Sequence, residues 1–468
     1  MVFSSMTFLW VFFPIVSALY FISDKKYKNI ILLIASLIFY SWGEPKYIIL
    51  MLISIVMNYI LGLAMNKYKE KKKLVLVIAI ILNIGLLGYF KYFNFFISTI
   101  NNISGVNLFL RNIALPVGIS FYTFQILSYI IDLYREEIEV QKNILNLALY
   151  ISFFPQLIAG PIVKYRDVEK EINERSSSVD DIYYGLKRFI YGLSKKVLIS
   201  NCLASMVDAV YMADINSINT PLMWLTAISY TLQIYFDFSG YSDMAIGLGR
   251  IFGFHFQENF NLPYISKSIT EFWRRWHISL STWFKEYIYI PLGGNRKGKF
   301  RTYLNLFIVF LITGLWHGAS WNFVAWGIYY GIFLIIERLF LKKILDKSKV
   351  LSHIYSLFII VLGWVMFRAP GLKKSFIFYK ILFSFNFKST YLVTQQLINN
   401  QFVFVFIVSI LLCGPIQMVY KKIETKIKSE KTKKIIGIVE NIVLIILFLL
   451  CISDLSASGY NPFIYFRF

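Results

Sequence analysis

One histidine lies where an ionisable side chain is unusual. His317 follows an uncharged, largely apolar run of 14 residues, 303–316. At ~1.5 Å per helical residue this run covers roughly 21 Å, which is short of a hydrocarbon core of about 30 Å. We therefore expect His317 to lie inside the membrane, where a titratable imidazole usually marks a reaction site or a pathway. The alternative is a neutral histidine hydrogen-bonded between packed helices.

A second histidine, His277, ends a segment rich in aromatic and basic side chains. Ser268 and Glu271 have the three-residue spacing of a capping box, which predicts that a helix starts there. Aromatic residues then recur on one side of this helix and polar or basic ones on the other, namely Phe272, Trp276, Trp283 and Tyr287 against Arg274, His277, Ser281 and Lys285. The pattern is typical of an amphipathic helix with its basic face toward phosphates or headgroups. His277 could line a cavity with His317, or it could be interfacial and inert.

Two carboxylates, Asp237 and Asp243, stand six residues apart in apolar surroundings. This spacing leaves them well apart around a continuous helix, so they would converge only if Ser239-Gly240 broke it. We expect separate partners for the two. A helix-packing ion pair with a cation such as Arg274 or Arg275 is the structural alternative to a functional role.

The loop at residues 291–299, Pro-Leu-Gly-Gly-Asn-Arg-Lys-Gly-Lys, is basic and rich in glycine. Glycine lets backbone amides approach a ligand closely, and cations suit a phosphorylated one such as coenzyme A. Asn295 and Arg296, together with Arg274, are therefore candidates for binding donor phosphates. The alternative is an ordinary basic loop retained on the cytoplasmic side.

Composition shows which kind of element must position these residues. The chain has 57% hydrophobic and 16% charged residues, which predicts an all-α, polytopic membrane protein. Apolar stretches recur along it, several short or interrupted by Pro or Gly, so we expect about ten or eleven spans with re-entrant and interfacial helices.

The net charge of +22 comes from short clusters beside apolar stretches, which favours anionic membrane lipids as partners over nucleic acid. Basic clusters are retained on the cytoplasmic side of a membrane, so their positions predict that both termini lie outside the cell. Four histidines without an HExxH pattern predict no metal site. The tail, residues 453–468, has four aromatic residues among its last six and could insert into a groove or act as an interfacial anchor.

Five strings resemble the membrane-bound O-acyltransferase family: PVGISFYTFQ at 116–125, FPQLIAGP at 154–161, DFSGYSDM at 237–244, residues 272–294 and LWHGA at 315–319. The match covers about 115–338, which we take as the catalytic core of a single membrane domain spanning 1–468. It is closest to the bacterial branch that O-acetylates alginate or peptidoglycan or D-alanylates teichoic acid. The resemblance implies a funnel-shaped bundle of helices with a central tunnel, in which His317 is the key histidine and His277 the second.

The resemblance also implies acyl transfer from a cytoplasmic thioester, with no permanently bound cofactor, to a hydroxyl in the membrane. We expect acetyl-CoA or an acylated carrier protein as donor, and a partner acyltransferase and a cell-wall or exopolysaccharide polymer outside the bacterial cell membrane. Tyr465 lies in a C-terminal motif similar to one that in the D-alanylation system occurs on a separate peptide, which makes it a possible acyl acceptor. The alternatives are D-alanyl transfer from a carrier protein, or a transporter or flippase in which Asp237, Asp243 and His317 line the path of a polar substrate.

Overall fold

A computed structural model describes residues 1–158, 160–388, 397–427, 429–457 and 459–461. Within these residues the regular structure is helical and no strand occurs, so the predicted all-α class is confirmed. The α-helices are α1 Phe13–Ile22, α2 Lys28–Gly43, α3 Ile48–Lys67, α4 Lys72–Leu87, α5 Phe93–Ser104, α6 Ile119–Tyr134, α7 Ile144–Ser152, α8 Phe154–Leu157, α9 Tyr165–Glu174, α10 Val179–Ser194, α11 Asn201–Met212, α12 Thr220–Ile251, α13 Ile269–Arg275, α14 Ile278–Phe284, α15 Gly298–His317, α16 Trp321–Ile336, α17 Lys342–Leu345, α18 Lys349–Arg368, α19 Leu372–Leu382, α20 Asn400–Leu412, α21 Pro415–Glu424 and α22 Glu430–Ala457.

Short π-helices and 3₁₀-helices connect or extend these elements. The π-helices are Phe8–Phe12, Gly88–Tyr92, Lys195–Ser200, Lys285–Tyr289 and Glu337–Leu341. The 3₁₀-helices are Lys25–Tyr27, Lys69–Lys71, Ile215–Ser217 and Pro263–Ile265. Two π-helices belong to the candidate site described below, because Lys195–Ser200 packs on α12 and Glu337–Leu341 supports α13.

Six helices of the described chain are long and apolar enough to cross a membrane, which confirms a polytopic membrane protein. They comprise α3, residues 69–104, α15, residues 321–345, α18 and α22, and two shorter apolar helices, Phe8–Ile22 and Asn400–Leu412, accompany them. Six is fewer than the ten or eleven expected from apolar runs. Several of those runs form helices of only 9 to 16 residues, such as α7 and α6, which are shorter than a full span.

The chain divides into two compact units, and the expectation of a single domain stays a prediction. The first comprises Met1–Phe189 and Met244–Gln257. Buried phenylalanines pack together in it, with Phe12 and Phe154 rings 5.4 Å apart. Between α3 and α4, Asn58 and Asn83 exchange two amide hydrogen bonds of 2.8 and 3.0 Å. Such reciprocal pairing satisfies polar groups that would otherwise be costly within an apolar helix pair.

The second unit comprises Ile190–Asp243 and Glu258–Phe468 and contains both candidate histidines. Its core is aromatic, with Trp326, Tyr330 and Trp364 at 0–1% exposure. The tightest helix pair is α15 with α16, where a Cβ atom on Gly314 would come within 2.3 Å of the Phe323 carbonyl oxygen, and one on Gly327 within 2.4 Å of the Phe310 carbonyl. The two backbones can approach this closely only because both crossing residues are glycine.

Candidate active site

His317 is the last residue of α15, and a cage of aromatic rings surrounds it. Its ring lies 4.9 Å from Trp316, 5.1 Å from Trp326 and 5.1 Å from Phe367, measured between centroids. Only 6% of the residue is exposed. Because Trp326 is on α16 and Phe367 on α18, three helices fix the position of the imidazole. The imidazole is therefore held in a fixed position within an apolar, aromatic surrounding.

His277 also lies near Trp316, at the break between α13 and α14. Its ring centroid is 6.0 Å from that of Trp316 and 4.6 Å from that of Phe238 on α12. The structure thus brings both predicted histidines close to one tryptophan. His277 lies outside the six long apolar helices, and burial lowers its pKa to about 3, so the ring is neutral at any physiological pH.

The predicted helix start at Ser268 is confirmed. Ser268 is the N-cap of α13, and its hydroxyl accepts a hydrogen bond of 3.0 Å from the Glu271 amide. The carboxylate of Glu337 accepts the next two amides of the same helix, Ile269 and Thr270, at 2.5 and 3.0 Å. A buried anion at a helix N-terminus stabilises both groups, so Glu337 fixes where α13 begins.

The segment is not one continuous amphipathic helix, however. It ends at Arg275 and restarts at Ile278, because His277 adopts a left-handed conformation with φ of 45°. Such a backbone costs a non-glycine residue about 1–2 kcal/mol, and residues of this kind cluster at functional sites. The break turns His277 inward to 1% exposure, whereas Arg274 of the same predicted face remains exposed.

A cavity of about 1360 Å³ opens beside these two short helices. Its wall includes three predicted members of the basic face, Arg274, Ser281 and Lys285. Seven lysines and arginines and three carboxylates of the described chain line it in all, namely Lys267, Arg274, Arg275, Lys285, Arg338, Lys342 and Lys349 with Glu271, Glu337 and Asp346. A pocket of this size exceeds the usual range for a drug-sized ligand, and its charge favours an anionic one.

Residues close to both histidines in sequence also line the cavity. Val309, Phe310 and Thr313 line it, and these residues lie on the face of α15 that ends at His317, with Thr313 one turn before it. Ile278, the neighbour of His277, lines it as well. The cavity therefore combines basic and apolar wall residues, some of which lie within four residues of each histidine.

The other predicted donor-binding residues are placed differently. Asn295 and Arg296 are exposed in a turn and are not among the residues that line this cavity. Asn305 of α15 holds that turn through hydrogen bonds of 2.9 and 3.3 Å to the Gly294 and Leu292 carbonyls. Within the described residues no group of three or more His, Cys, Asp or Glu side chains is placed to hold a metal ion.

The expectation of separate partners for the two carboxylates is confirmed, and the cation that pairs with each is a lysine. Asp237 pairs with Lys196 at 2.6 Å and Asp243 with Lys195 at 2.6 Å, and α12 continues through Ser239-Gly240 without a break. Gly240 lies where α12 crosses the end of α10, since a Cβ there would be 2.7 Å from the Gly192 carbonyl. The adjacent residues Lys195 and Lys196 pair with carboxylates that lie three residues after and three residues before Gly240. Arg275 instead pairs with Glu271 at 2.9 Å.

Sequence reasoning did not identify several residues that shape the site. Trp326 and Phe367 enclose His317, Glu337 caps α13, and Asn259 contacts the His277 ring through a 3.1 Å hydrogen bond between its Oδ1 and Nδ1. Each comes from a distant part of the chain. No periodicity in the sequence links them to the histidines, although a lone carboxylate in an apolar stretch could have marked Glu337.

The predicted acceptor Tyr465 lies outside the described residues. The last described residues, however, are tied to the second unit, since the Tyr460 hydroxyl donates to Asp208 at 2.7 Å and the Asn201 amide to Asn461 at 3.3 Å. Asp208 also binds Arg368 at 2.6 Å. Arg368 directly follows Phe367, whose ring contacts His317.

The chain is similar to proteins of a known family. The family model of the membrane-bound O-acyltransferases matches residues 34–373. The chain is 40% identical to the Pseudomonas putida protein named "Probable alginate O-acetylase AlgI" over 487 residues, covering 100% of both chains. It is 37% identical to the peptidoglycan O-acetyltransferase of Helicobacter pylori over 413 residues, covering 80% of this chain and 78% of that one.

A more distant similarity, 29% over 245 residues, links it to the teichoic acid D-alanyltransferase of Bacillus subtilis, covering 50% of this chain and 61% of that protein. The matched region contains both histidines, α13 and the helices that line the cavity. The chain therefore belongs to the membrane-bound O-acyltransferase family and is an O-acyltransferase.

Proposed function

We propose that the chain transfers an acetyl group from a cytoplasmic thioester donor to a hydroxyl group, as part of the O-acetylation of a polysaccharide or cell-wall polymer outside a bacterial cell. The observation that most supports this is the basic cavity, whose lining includes Ile278 beside His277 and Thr313 one turn before His317. Similarity to enzymes named for O-acetylation of alginate and peptidoglycan supports the acetyl group and the polymer. Either acetyl-CoA or an acetylated carrier protein would present the same phosphorylated arm to this cavity.

The donor would bind with its phosphates among the cations of the cavity wall and its thioester toward the apolar wall residues. Arg274 is exposed on this wall and can contact a phosphate directly, while Lys285 and Lys342 line the same cavity. Arginine and lysine bind phosphate through charge-assisted hydrogen bonds. Asn295 and Arg296 would contact only parts of the donor that extend beyond this cavity.

His317 would act as the general base. Its neutral imidazole takes the proton of the acceptor hydroxyl while that oxygen attacks the thioester carbonyl, and the thiolate leaves as the new ester forms. The proton then passes to the thiolate, which leaves as the free thiol. The aromatic cage excludes water and so favours transfer over hydrolysis. His277 would either position the donor or stabilise the oxyanion of the tetrahedral intermediate.

Tyr465 is our proposed first acceptor. Tyr460 is held by Asp208, which is bound in turn to the residue after Phe367. Tyr465 follows Tyr460 by only five residues in the chain. A phenol with an ordinary pKa near ~10 needs a base such as His317 to become a nucleophile. A partner acyltransferase outside the cell would then take the acetyl group from the tyrosine ester to the polymer.

The test is acetyl transfer by the purified full chain in lipid nanodiscs with isotopically labelled acetyl-CoA. Peptide mass spectrometry locates the label in wild type, His317→Gln and the control His255→Gln, whose ring is half-exposed and bound to Glu171. We expect label on Tyr465 in wild type and in the control but not in His317→Gln. Equal labelling in all three proteins, or transport of acetyl-CoA without any transfer, would refute the proposal.

A further inference from the structure

A buried amide lies against the second histidine. Asn259, 1% exposed, is in the stretch between α12 and the 3₁₀-helix Pro263–Ile265. Its side-chain oxygen Oδ1 lies 3.1 Å from His277 Nδ1, 3.2 Å from the Ser279 backbone nitrogen and 2.9 Å from the Ser279 hydroxyl oxygen. Its backbone oxygen also accepts the Ile278 amide at 3.0 Å. Asn259 is thus hydrogen-bonded to His277 and to the two residues that follow it.

The Ser279 amide decides which way the Asn259 side chain points. A backbone N–H can only donate, so the atom that faces it must be the oxygen of the amide and not its nitrogen. The same oxygen faces His277 Nδ1. Two lone pairs 3.1 Å apart would repel each other, whereas an N–H on Nδ1 makes a normal hydrogen bond of that length.

The Ser279 hydroxyl does not reverse this assignment. Its oxygen is 3.4 Å from His277 Nδ1 but 2.9 Å from Asn259 Oδ1, so its single proton belongs to the shorter bond. His277 is therefore the tautomer with the proton on Nδ1. Its other nitrogen, Nε2, has a lone pair and no proton, and it is buried without a hydrogen-bond partner among the described residues.

An unpartnered buried acceptor is costly and calls for a donor that arrives with a ligand. We infer, on the basis of the proposed acyl transfer, that His277 Nε2 accepts a hydrogen bond from an N–H of the bound acyl donor and that Asn259 is the positioning residue that fixes this tautomer. The pantetheine arm common to coenzyme A and to carrier proteins has two amide N–H groups. Ile278, next to His277, lines the cavity into which that arm would extend.

This tautomer decides whether His277 positions the donor or stabilises the oxyanion. Stabilising an oxyanion requires a proton on the atom that faces it, and Nε2 in this tautomer has none. His277 then positions the donor, and the oxyanion must be stabilised by other groups. The interaction exists before the transition state as well as in it, so its loss should appear mainly in the KM for the donor.

Two substitutions of Asn259 separate positioning from packing. Asn259→Leu keeps the branching at Cγ with a larger side chain but cannot accept the Nδ1 proton, and we expect the KM for acetyl-CoA to rise by about tenfold or more with a smaller change in kcat. Asn259→Asp keeps an acceptor at the same place and should restore the KM near neutral and alkaline pH. Equal KM values for the leucine variant and wild type would overturn the inference.

The aspartate variant also gives a pH profile of predictable sign. A carboxylate beside Nδ1 favours the imidazolium and so raises the pKa of His277, which puts a proton on Nε2 as the pH falls. Asp237, paired with Lys196, and His317 each adjoin a residue whose ring contacts His277, and neither is altered in this variant. An acceptor role predicts that donor binding in Asn259→Asp fails at a higher pH than in wild type. Improved binding at acidic pH would instead show that Nε2 donates and would overturn the inference.

The tautomer itself can be measured without activity. The chain has four histidines, so a ¹⁵N-histidine-labelled sample gives a spectrum that single His→Gln variants can assign. We expect one protonated nitrogen for His277 in wild type, on the Nδ1 side, and a mixture of tautomers in Asn259→Leu. A proton on Nε2 in wild type would refute the assignment even if acetyl transfer occurs. The expected tautomer in a protein without transfer would refute only the proposed function.

Discussion

The glycine pair between α15 and α16 offers the sharpest test of how the site is positioned. In Gly314→Ala the new methyl group would be 2.3 Å from the Phe323 carbonyl oxygen and 3.1 Å from backbone atoms of Gly327. Real Cβ contacts essentially never fall under 3.0 Å, so the helices must separate by at least 0.7 Å. Backbone atoms cannot rotate away as a flexible side chain would. Overpacking of this kind typically costs about 1–3 kcal/mol.

Separation of the two helices matters because Gly314 and Gly327 lie close to His317 and Trp326, whose rings contact each other at the site. His317 is three residues after Gly314, and Trp326 directly precedes Gly327, and their rings are 5.1 Å apart. A misplacement of about 1 Å can reduce the rate of an oriented reaction by roughly 10²-fold. We therefore expect kcat for acetyl transfer to fall by about 10- to 100-fold in Gly314→Ala, with a lower unfolding temperature in detergent.

Gly437→Ala is the matched control. It makes the same substitution within α22, but nothing lies within 4 Å of the added Cβ. An alanine in a helix interior is more favourable than a glycine by about 1 kcal/mol, so this variant should be as stable as wild type or more so. A Gly314→Ala variant with wild-type kcat and unfolding temperature would show that the close crossing does not position the histidine.

Two further predictions concern charge. Lys196→Met leaves the Asp237 carboxylate, which is 1% exposed, without its lysine. We expect this variant to lose about 3–5 kcal/mol of stability, measured by chemical unfolding in detergent. Lys195→Met should lose less, because the pair of Lys195 with Asp243 is more exposed. Comparable losses in the two variants would contradict the burial argument. Arg274→Glu reverses a charge on the cavity wall and should raise the KM for acetyl-CoA several-fold. The increase in KM should be smaller at high salt, which screens the charge. Lys373 does not line the cavity, so Lys373→Glu should leave the KM unchanged. Equal effects of these two reversals would remove Arg274 from donor binding.

The features predicted correctly from the sequence depend on local patterns. The all-α class follows from apolar runs, and the start of α13 follows from Ser268 and Glu271, which are three residues apart and form their bond within one turn. The ion-pair partners of Asp237 and Asp243 could not be found this way. Their lysines lie 41 and 48 residues earlier in the chain, and only the crossing at Gly240 brings them together.

The role of Asn259 was also beyond sequence reasoning, because it depends on a backbone break that periodicity hides. The aromatic spacing continues through His277 as if the helix were unbroken, and no glycine or proline interrupts it. Tertiary hydrogen bonds break the helix. Asn259 accepts the Ile278 and Ser279 amides, and its two bonds offset the unfavourable left-handed conformation of the residue before them.

The backbone conformation of His277 and the function of its ring can be tested separately. Asparagine adopts the left-handed conformation more readily than other non-glycine residues, whereas a β-branched residue there is strongly disfavoured. His277→Asn and His277→Val remove the same ring and leave side chains of similar size against Phe238 and Trp316. We expect the valine variant to be less stable by about 1–2 kcal/mol in detergent unfolding, and both to lose most acetyl transfer. Equal stabilities would mean that the φ of 45° does not strain the chain, and transfer retained by both variants would mean that the site needs no acceptor at this position.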